Sequence, residues 1–99
     1  MNGAIEQRAM NLLSMAARGR RIVSGAFVAE DALKRKQGTF LLLAQDASEE
    51  TKTKFIRMAA QLKVPTAELL TMQQLGHCLG KEYRAVAVLI DRGFADRLS

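Results

Sequence analysis

The sequence predicts a three-layer α/β/α sandwich, a mixed sheet of about four strands covered by helices on both faces. Three observations carry that prediction. Helical and strand-like segments alternate along the chain. Two apolar runs, Phe40–Ala44 and Ala85–Ile90, lack the alternation of a half-exposed strand, so they belong to central strands buried on both faces. At 99 residues, 48% hydrophobic and 25% charged, the chain fits one folded domain over residues 1–99, with no linker, repeat or low-complexity tract.

The elements follow in order. Residues 5–18 form a helix, because Ile5, Ala9, Leu12, Leu13 and Ala16 recur at helical spacing. Gly19 is placed to stop it as a left-handed residue. Ile22-Val23 allows only a brief strand. A second helix spans Gly25 to Lys36, with Phe27 or Val28, Ala29, Ala32 and Leu33 available for its inner face and Gln37-Gly38 ending it. After the first central strand, Asp46 or Ser48 can cap a third helix, and Asp46 with Glu49 has capping-box spacing.

That third helix runs to about Lys63, with Thr51, Phe55, Ala59 and Leu62 inward and Glu50 to Lys54 as an exposed pair. Val64-Pro65 breaks it, since proline drives the preceding residue out of helical geometry. Thr66 to Leu70 reads as a short strand. Thr71 to Gln74 has capping-box spacing and opens a helix ending at Leu79-Gly80. Beyond the second central strand, Asp91 can cap a short final helix with Phe94 and Leu98 inward.

The chemistry-bearing residues exclude more than they propose. His77 is the single histidine and Cys78 the single cysteine, and adjacent helical residues point about 100° apart, a poor arrangement for a nucleophile and its base. Zinc would lack ligands. The glycines form neither a P-loop nor a dinucleotide fingerprint. No enzyme, cofactor or small-molecule substrate is therefore expected. A lone cysteine makes no internal disulfide and is read as a small buried hydrophobe, which fits a cytoplasmic protein. No signal peptide is seen at the start, and no run approaches the roughly 18 apolar residues of a membrane span.

Charge points to a partner. Fifteen Lys and Arg against ten acids leave +5, an electrostatic balance that favours nucleic acid. Arg20 and Arg21 precede Gly25 at a helix start, where backbone amides and guanidiniums suit phosphate oxygens. Gly80-Lys81-Glu82-Tyr83-Arg84 places a cation, an acid, an aromatic ring and an arginine in a turn before a central strand. Such a mix can stack on, or hydrogen-bond to, an unstacked RNA base.

These motifs together carry a resemblance. Leu13 with Ala16-Ala17-Arg18, Arg21 with Val23-Ser24-Gly25, Leu41–Ala44 with Asp46-Ala47-Ser48 and Thr51-Lys52, Val64-Pro65, Leu75-Gly76 with Gly80-Lys81-Glu82, Ala85–Val88 and Gly93-Phe94-Ala95 stand in a familiar order over residues 12–95. The chain resembles the ribosomal protein superfamily that binds kink-turn RNA, the L-seven-Ae family, and its small bacterial YlxQ-like members. The resemblance implies the same sandwich, with RNA along the edge made by Gly25 at the second helix start and by Gly80–Arg84. Kink-turn binders carry an Asn-Glu pair just after the glycine and a Lys beyond it. Those positions fall here on Phe27, Val28 and Asp31, so the family's readers of sheared G·A pairs are missing.

The expectation is a non-enzymatic RNA-binding protein acting on ribosomal or other structured RNA, with the ribosome or another protein as a further partner. Its site would be Arg20, Arg21, Gly25, Gly80, Lys81, Glu82, Tyr83 and Arg84. The alternative is a protein-interaction or self-association module on the same scaffold, its RNA site decayed and its contact made by Phe27 and Val28.

Overall fold

The two apolar runs become the middle strands of one sheet in a computed structural model that describes residues 3–93. The elements are α1 (Gly3–Arg18), β1 (Ile22–Ser24), α2 (Ala26–Lys34), β2 (Phe40–Leu43), α3 (Glu49–Leu62), β3 (Thr66–Glu68), α4 (Met72–Cys78) and β4 (Val86–Leu89). Strand order is β1-β4-β2-β3. β2 is parallel to β3 and antiparallel to β4, which is antiparallel to β1, giving the expected mixed sheet.

Register sorts the core into two halves, because successive strand residues face opposite sides. Leu41 lies opposite Val88 and Leu43 opposite Val86. These four pack against Ala29, Ala32 and Leu33 of α2 and Phe55 and Ala59 of α3. Phe40 opposite Leu89 and Leu42 opposite Ala87 face the other way, onto Leu13 and Ala16 of α1 and Leu75 and Cys78 of α4. Both faces are covered, so three layers form. No described helix is long and apolar enough to cross a membrane.

The four described helices close alike, and this revises where the stops lie. In α1 the Arg21 N–H donates to the Ala16 carbonyl at 2.8 Å and the Arg20 N–H to that of Ala17 at 3.1 Å. The same paired bonds end α2 through Gln37 and Lys36, α3 through Val64 and Lys63, and α4 through Lys81 and Gly80. The left-handed residues are Arg20 (φ 57°), Lys36 (φ 60°), Lys63 (φ 59°) and Gly80 (φ 73°). Three of these positions thus hold cations, which the negative end of a helix dipole favours despite the cost of a left-handed side-chain-bearing residue. The stop expected at Gly19 falls on Arg20. Gly38 serves packing instead: a Cβ there would lie 2.8 Å from Val88 Cγ1 and 2.9 Å from Leu33 Cδ2.

Other expectations are met or corrected in the same local terms. Ser48 caps α3, its Oγ accepting from the Thr51 N–H at 3.1 Å, and the Asp46–Glu49 box does not form. Asp46 Oδ1 accepts instead from the Met72 N–H at 2.8 Å, so it serves the first turn of α4. Thr71 and Gln74 make both bonds of their capping box. Lys54 turns from Glu50 to Glu30 on α2, at 2.7 Å. The third strand stops at Glu68 because Leu70 takes a left-handed backbone (φ 71°) that drives its side chain into the core. Asp91 Oδ1 accepts from the Gly93 N–H at 2.7 Å, while Phe94 and Leu98 lie outside the described residues.

Candidate nucleic-acid interface

Where β1 ends, the chain turns straight into α2 through Gly25, whose φ of 98° and ψ of 147° are open in practice only to glycine. The turn is fixed by the Gly25 N–H donating to the Val86 carbonyl at 3.0 Å. Lacking a side chain, Gly25 offers no cap, and the first internal bond of α2 runs from the Ala29 N–H to the Gly25 carbonyl at 2.8 Å. The amides of Ala26, Phe27 and Val28 therefore point outward without intrahelical partners, at the positive end of the helix dipole.

The segment between α4 and β4 is laid against this turn by backbone bonds. Lys81 and Gly80 close α4, and the Arg84 N–H donates to the Met72 carbonyl at 3.1 Å. Gly76 makes the approach possible: a Cβ there would lie 2.7 Å from the Glu82 carbonyl oxygen and 2.8 Å from Tyr83 Cα. Arg84 then joins the two segments. Its Nε donates to Ser24 Oγ at 3.1 Å and its Nη1 to the Tyr83 carbonyl at 2.8 Å. A Cβ placed on Gly25 would lie 4.0 Å from that Nε.

Two crevices flank the loop, each about 410 Å³. One is lined by Ala17, Ile22, Val23, Ser24, Val28 and Leu79, the other by Gln73, His77, Glu82 and Tyr83. Lys81 borders both, and Arg84 borders the first. Lys81, Glu82 and Tyr83 are exposed, Tyr83 by 60%.

The structure thus brings together Gly25, Gly80, Lys81, Glu82, Tyr83 and Arg84. Arg20 and Arg21 sit at the other end of β1, since Ile22 pairs with Leu89 while Ser24 pairs with Ala87. A strand rising about 3.3 Å per residue puts them roughly 10 Å away. Arg21 Nε also lies 3.5 Å from an Asp91 carboxylate oxygen. Phe27 is 85% exposed and Val28 47%, and Asp31 pairs with Arg35 at 3.0 Å. Sequence reasoning about the site misses Ser24 and Gly76, the anchor and the seat of the loop. Only a paired strand register reveals the first, and only the packing of α4 the second.

His77 is exposed and Cys78 buried, and burial pushes the Cys78 thiol above its usual range. Among the described residues, no group of three or more His, Cys, Asp and Glu side chains could hold a metal ion.

Comparison with known proteins extends this geometry. The model of the ribosomal protein L7Ae/L30e/S12e/Gadd45 family matches residues 7–97. The RNA-binding protein YlxQ of Bacillus subtilis (strain 168) is 34% identical over 87 residues, covering 88% of this chain and 87% of that protein. Its Enterococcus faecium namesake is 31% identical over 97 residues, covering 98% and 93%. A solved protein of unknown function from Bacillus halodurans C superposes with a TM-score of 0.88 at 31% identity, covering 91% of each chain. The Giardia lamblia 15.5kD RNA binding protein superposes with a TM-score of 0.86, covering 99% of this chain and 87% of that one; at 19% identity the likeness is one of fold.

Proposed function

The chain belongs to the ribosomal protein L7Ae/L30e/S12e/Gadd45 family, and from that premise we propose that it is a non-enzymatic, cytoplasmic RNA-binding protein for ribosomal or other structured RNA. The relatives named RNA-binding protein YlxQ support this reading. The observation that carries it is Arg84, which fastens the loop to Ser24 beside Gly25 and makes one surface of open amides, two cations and an exposed tyrosine.

Each group has a role in this reading. Gly25 lets an RNA backbone approach the start of α2, where the free amides and the Arg84 guanidinium bind phosphate oxygens. Lys81 adds a cation, Glu82 accepts from a base amino group, and Tyr83 stacks on an unpaired base. Gly80 permits the turn that presents them. Arg20 and Arg21 neutralise phosphates farther along the strand.

Kink-turn discrimination is weak in this account. Phe27 and Val28 bear no hydrogen-bonding side chain, and Asp31 is an acid already paired with Arg35. In duplex DNA, a lost bidentate base contact costs about 1–3 kcal/mol. The test is a salt-controlled titration against a kink-turn, the same RNA with its G·A pairs disrupted, and a plain duplex. If Arg20, Arg21, Lys81 and Arg84 each neutralise one phosphate, the log–log salt slope is roughly −3 to −4. The intact and disrupted kink-turns should bind within about tenfold of each other (roughly 1.4 kcal/mol) and above the duplex. Salt-insensitive affinity, or no binding, overturns the proposal.

A second reading, a protein-interaction or self-association module, rests on the exposure of Phe27 and Val28. Its signature would be a concentration-dependent mass in light scattering that Phe27→Glu abolishes.

A further inference from the structure

Phe27 has no structural employment. It stands two residues before the buried Ala29, hence about 200° round the helix from it, and belongs to neither half of the core. It is 85% exposed on the first turn of α2, two positions after Gly25. Tyr83, 60% exposed, precedes Arg84, whose guanidinium donates to the Tyr83 carbonyl. Two exposed aromatic residues thus stand on the edge that Arg84 fastens together, Phe27 two positions after Gly25 and Tyr83 immediately before Arg84.

The surroundings decide what such a ring is for. A stable protein interface takes roughly 800 Å² from each partner, with an apolar centre. Here the exposed apolar groups near the turn are one Phe and a half-exposed Val28 that lines the neighbouring crevice with Lys81 and Arg84. An isolated aromatic residue on an edge that also carries peptide amides and cations instead matches a nucleobase whose flanking phosphates need those donors.

Resting on the RNA-binding reading, we propose that Phe27 is a second base-stacking platform on the same edge as Tyr83, and that the RNA partner presents at least two unpaired bases to this edge. Specificity then comes from the number and placement of unstacked bases. Base-edge hydrogen bonds from α2 play no part.

The test uses a synthetic RNA stem carrying a three-nucleotide bulge, and the same RNA with the bulge bases removed and its phosphates kept. Wild type should bind the base-bearing RNA at least tenfold more tightly. Phe27→Ala should lose roughly tenfold on that RNA, within the range for one base–aromatic stack. Phe27→Leu, which keeps apolar area without a π face, should recover little of it. Neither variant should change affinity for the base-free bulge or the salt slope. Tyr83 is the single tyrosine and there is no tryptophan, so the intrinsic fluorescence reports its own platform. It should be quenched by the base-bearing RNA alone.

Phe27→Ala binding the base-bearing RNA as wild type does would overturn the proposal, as would an equal loss on both RNAs. A concentration-dependent dimer that Phe27→Ala abolishes would overturn it in favour of self-association. Wild type binding neither RNA would defeat the RNA-binding reading itself, whereas equal binding to both with Phe27 inert would defeat only the stacking platform.

Discussion

Replacing Gly76 by alanine should damage the RNA edge from beneath. The new Cβ would meet the Glu82 carbonyl oxygen at 2.7 Å, the Glu82 carbonyl carbon at 2.8 Å and Tyr83 Cα at 2.8 Å. All three are backbone atoms, so no rotamer change relieves them, and reaching ordinary contact at 3.4 Å moves the loop by about 0.6–0.7 Å. Overpacking of this kind costs about 1–3 kcal/mol, and backbone contacts put it in the upper half of that range. Alanine returns about 1 kcal/mol through its better helix propensity. The net is about 1–2 kcal/mol, which for a domain near 100 residues lowers the Tm by roughly 4–16 °C. The bonds from Lys81 to Gly76 and from Arg84 to Met72 lie in the displaced segment, so RNA affinity falls as well. Half the value of a base stack, about 1 kcal/mol, is roughly fivefold in Kd. Thermal unfolding and a binding titration read the two effects. Unchanged Tm and unchanged Kd in Gly76→Ala would mean that the loop does not depend on the close approach at Gly76.

Arg84→Met should weaken RNA binding and reduce the magnitude of the log–log salt slope by about 0.7–0.9, one phosphate's worth; an unchanged slope would remove Arg84 from the phosphate contacts. Lys36→Gly should raise the Tm by a few degrees, because it relieves a left-handed residue worth about 1–2 kcal/mol against a small loss of dipole stabilisation. It should leave RNA affinity alone. Glu30 is held below its usual value of 4.5 chiefly by the hydrogen bond from Lys54, then by that from Lys34. Its folded-state pKa is depressed, so its contribution to stability is fully present above the unfolded value and is lost as the pH falls through the folded one. Wild type and Glu30→Gln should therefore differ in urea midpoint at neutral pH and converge below pH 4.5, which parallel unfolding curves would test.

Much of the fold is legible in the sequence because periodicity and burial agree. Phe40–Ala44 and Ala85–Ile90 read as doubly buried strands without alternation, and the strands they form, Phe40–Leu43 and Val86–Leu89, are the two central ones. The three-residue β1 and β3 carry far less pattern, and the end of β3 depends on the left-handed backbone at Leu70, which no leucine advertises. Helix ends are less legible for the same reason. At the ends of the described helices glycine takes the left-handed position at Gly80, while Arg20, Lys36 and Lys63 take it with side chains attached. Asp46 and Ser48 are chemically equal cap candidates, and only the nearness of α4 gives Met72 to Asp46. The loop residues Gly80–Arg84 could be picked out as a group because a turn, cations and an aromatic ring adjoin a central strand. Their link to Gly25 through Ser24 and Arg84 spans 60 positions and emerges from the antiparallel pairing of β1 with β4. The same pairing sends Arg20 and Arg21 to the far end of the strand.

The most direct test of the RNA edge is a backbone amide NMR map recorded while a bulged RNA stem is titrated into the isotope-labelled protein. The account predicts that the largest shifts fall on Gly25–Val28 and Gly80–Arg84, with Arg20 and Arg21 following and the outer face of α3 silent. Shifts centred on α3, or spread evenly over every cationic surface, would contradict it.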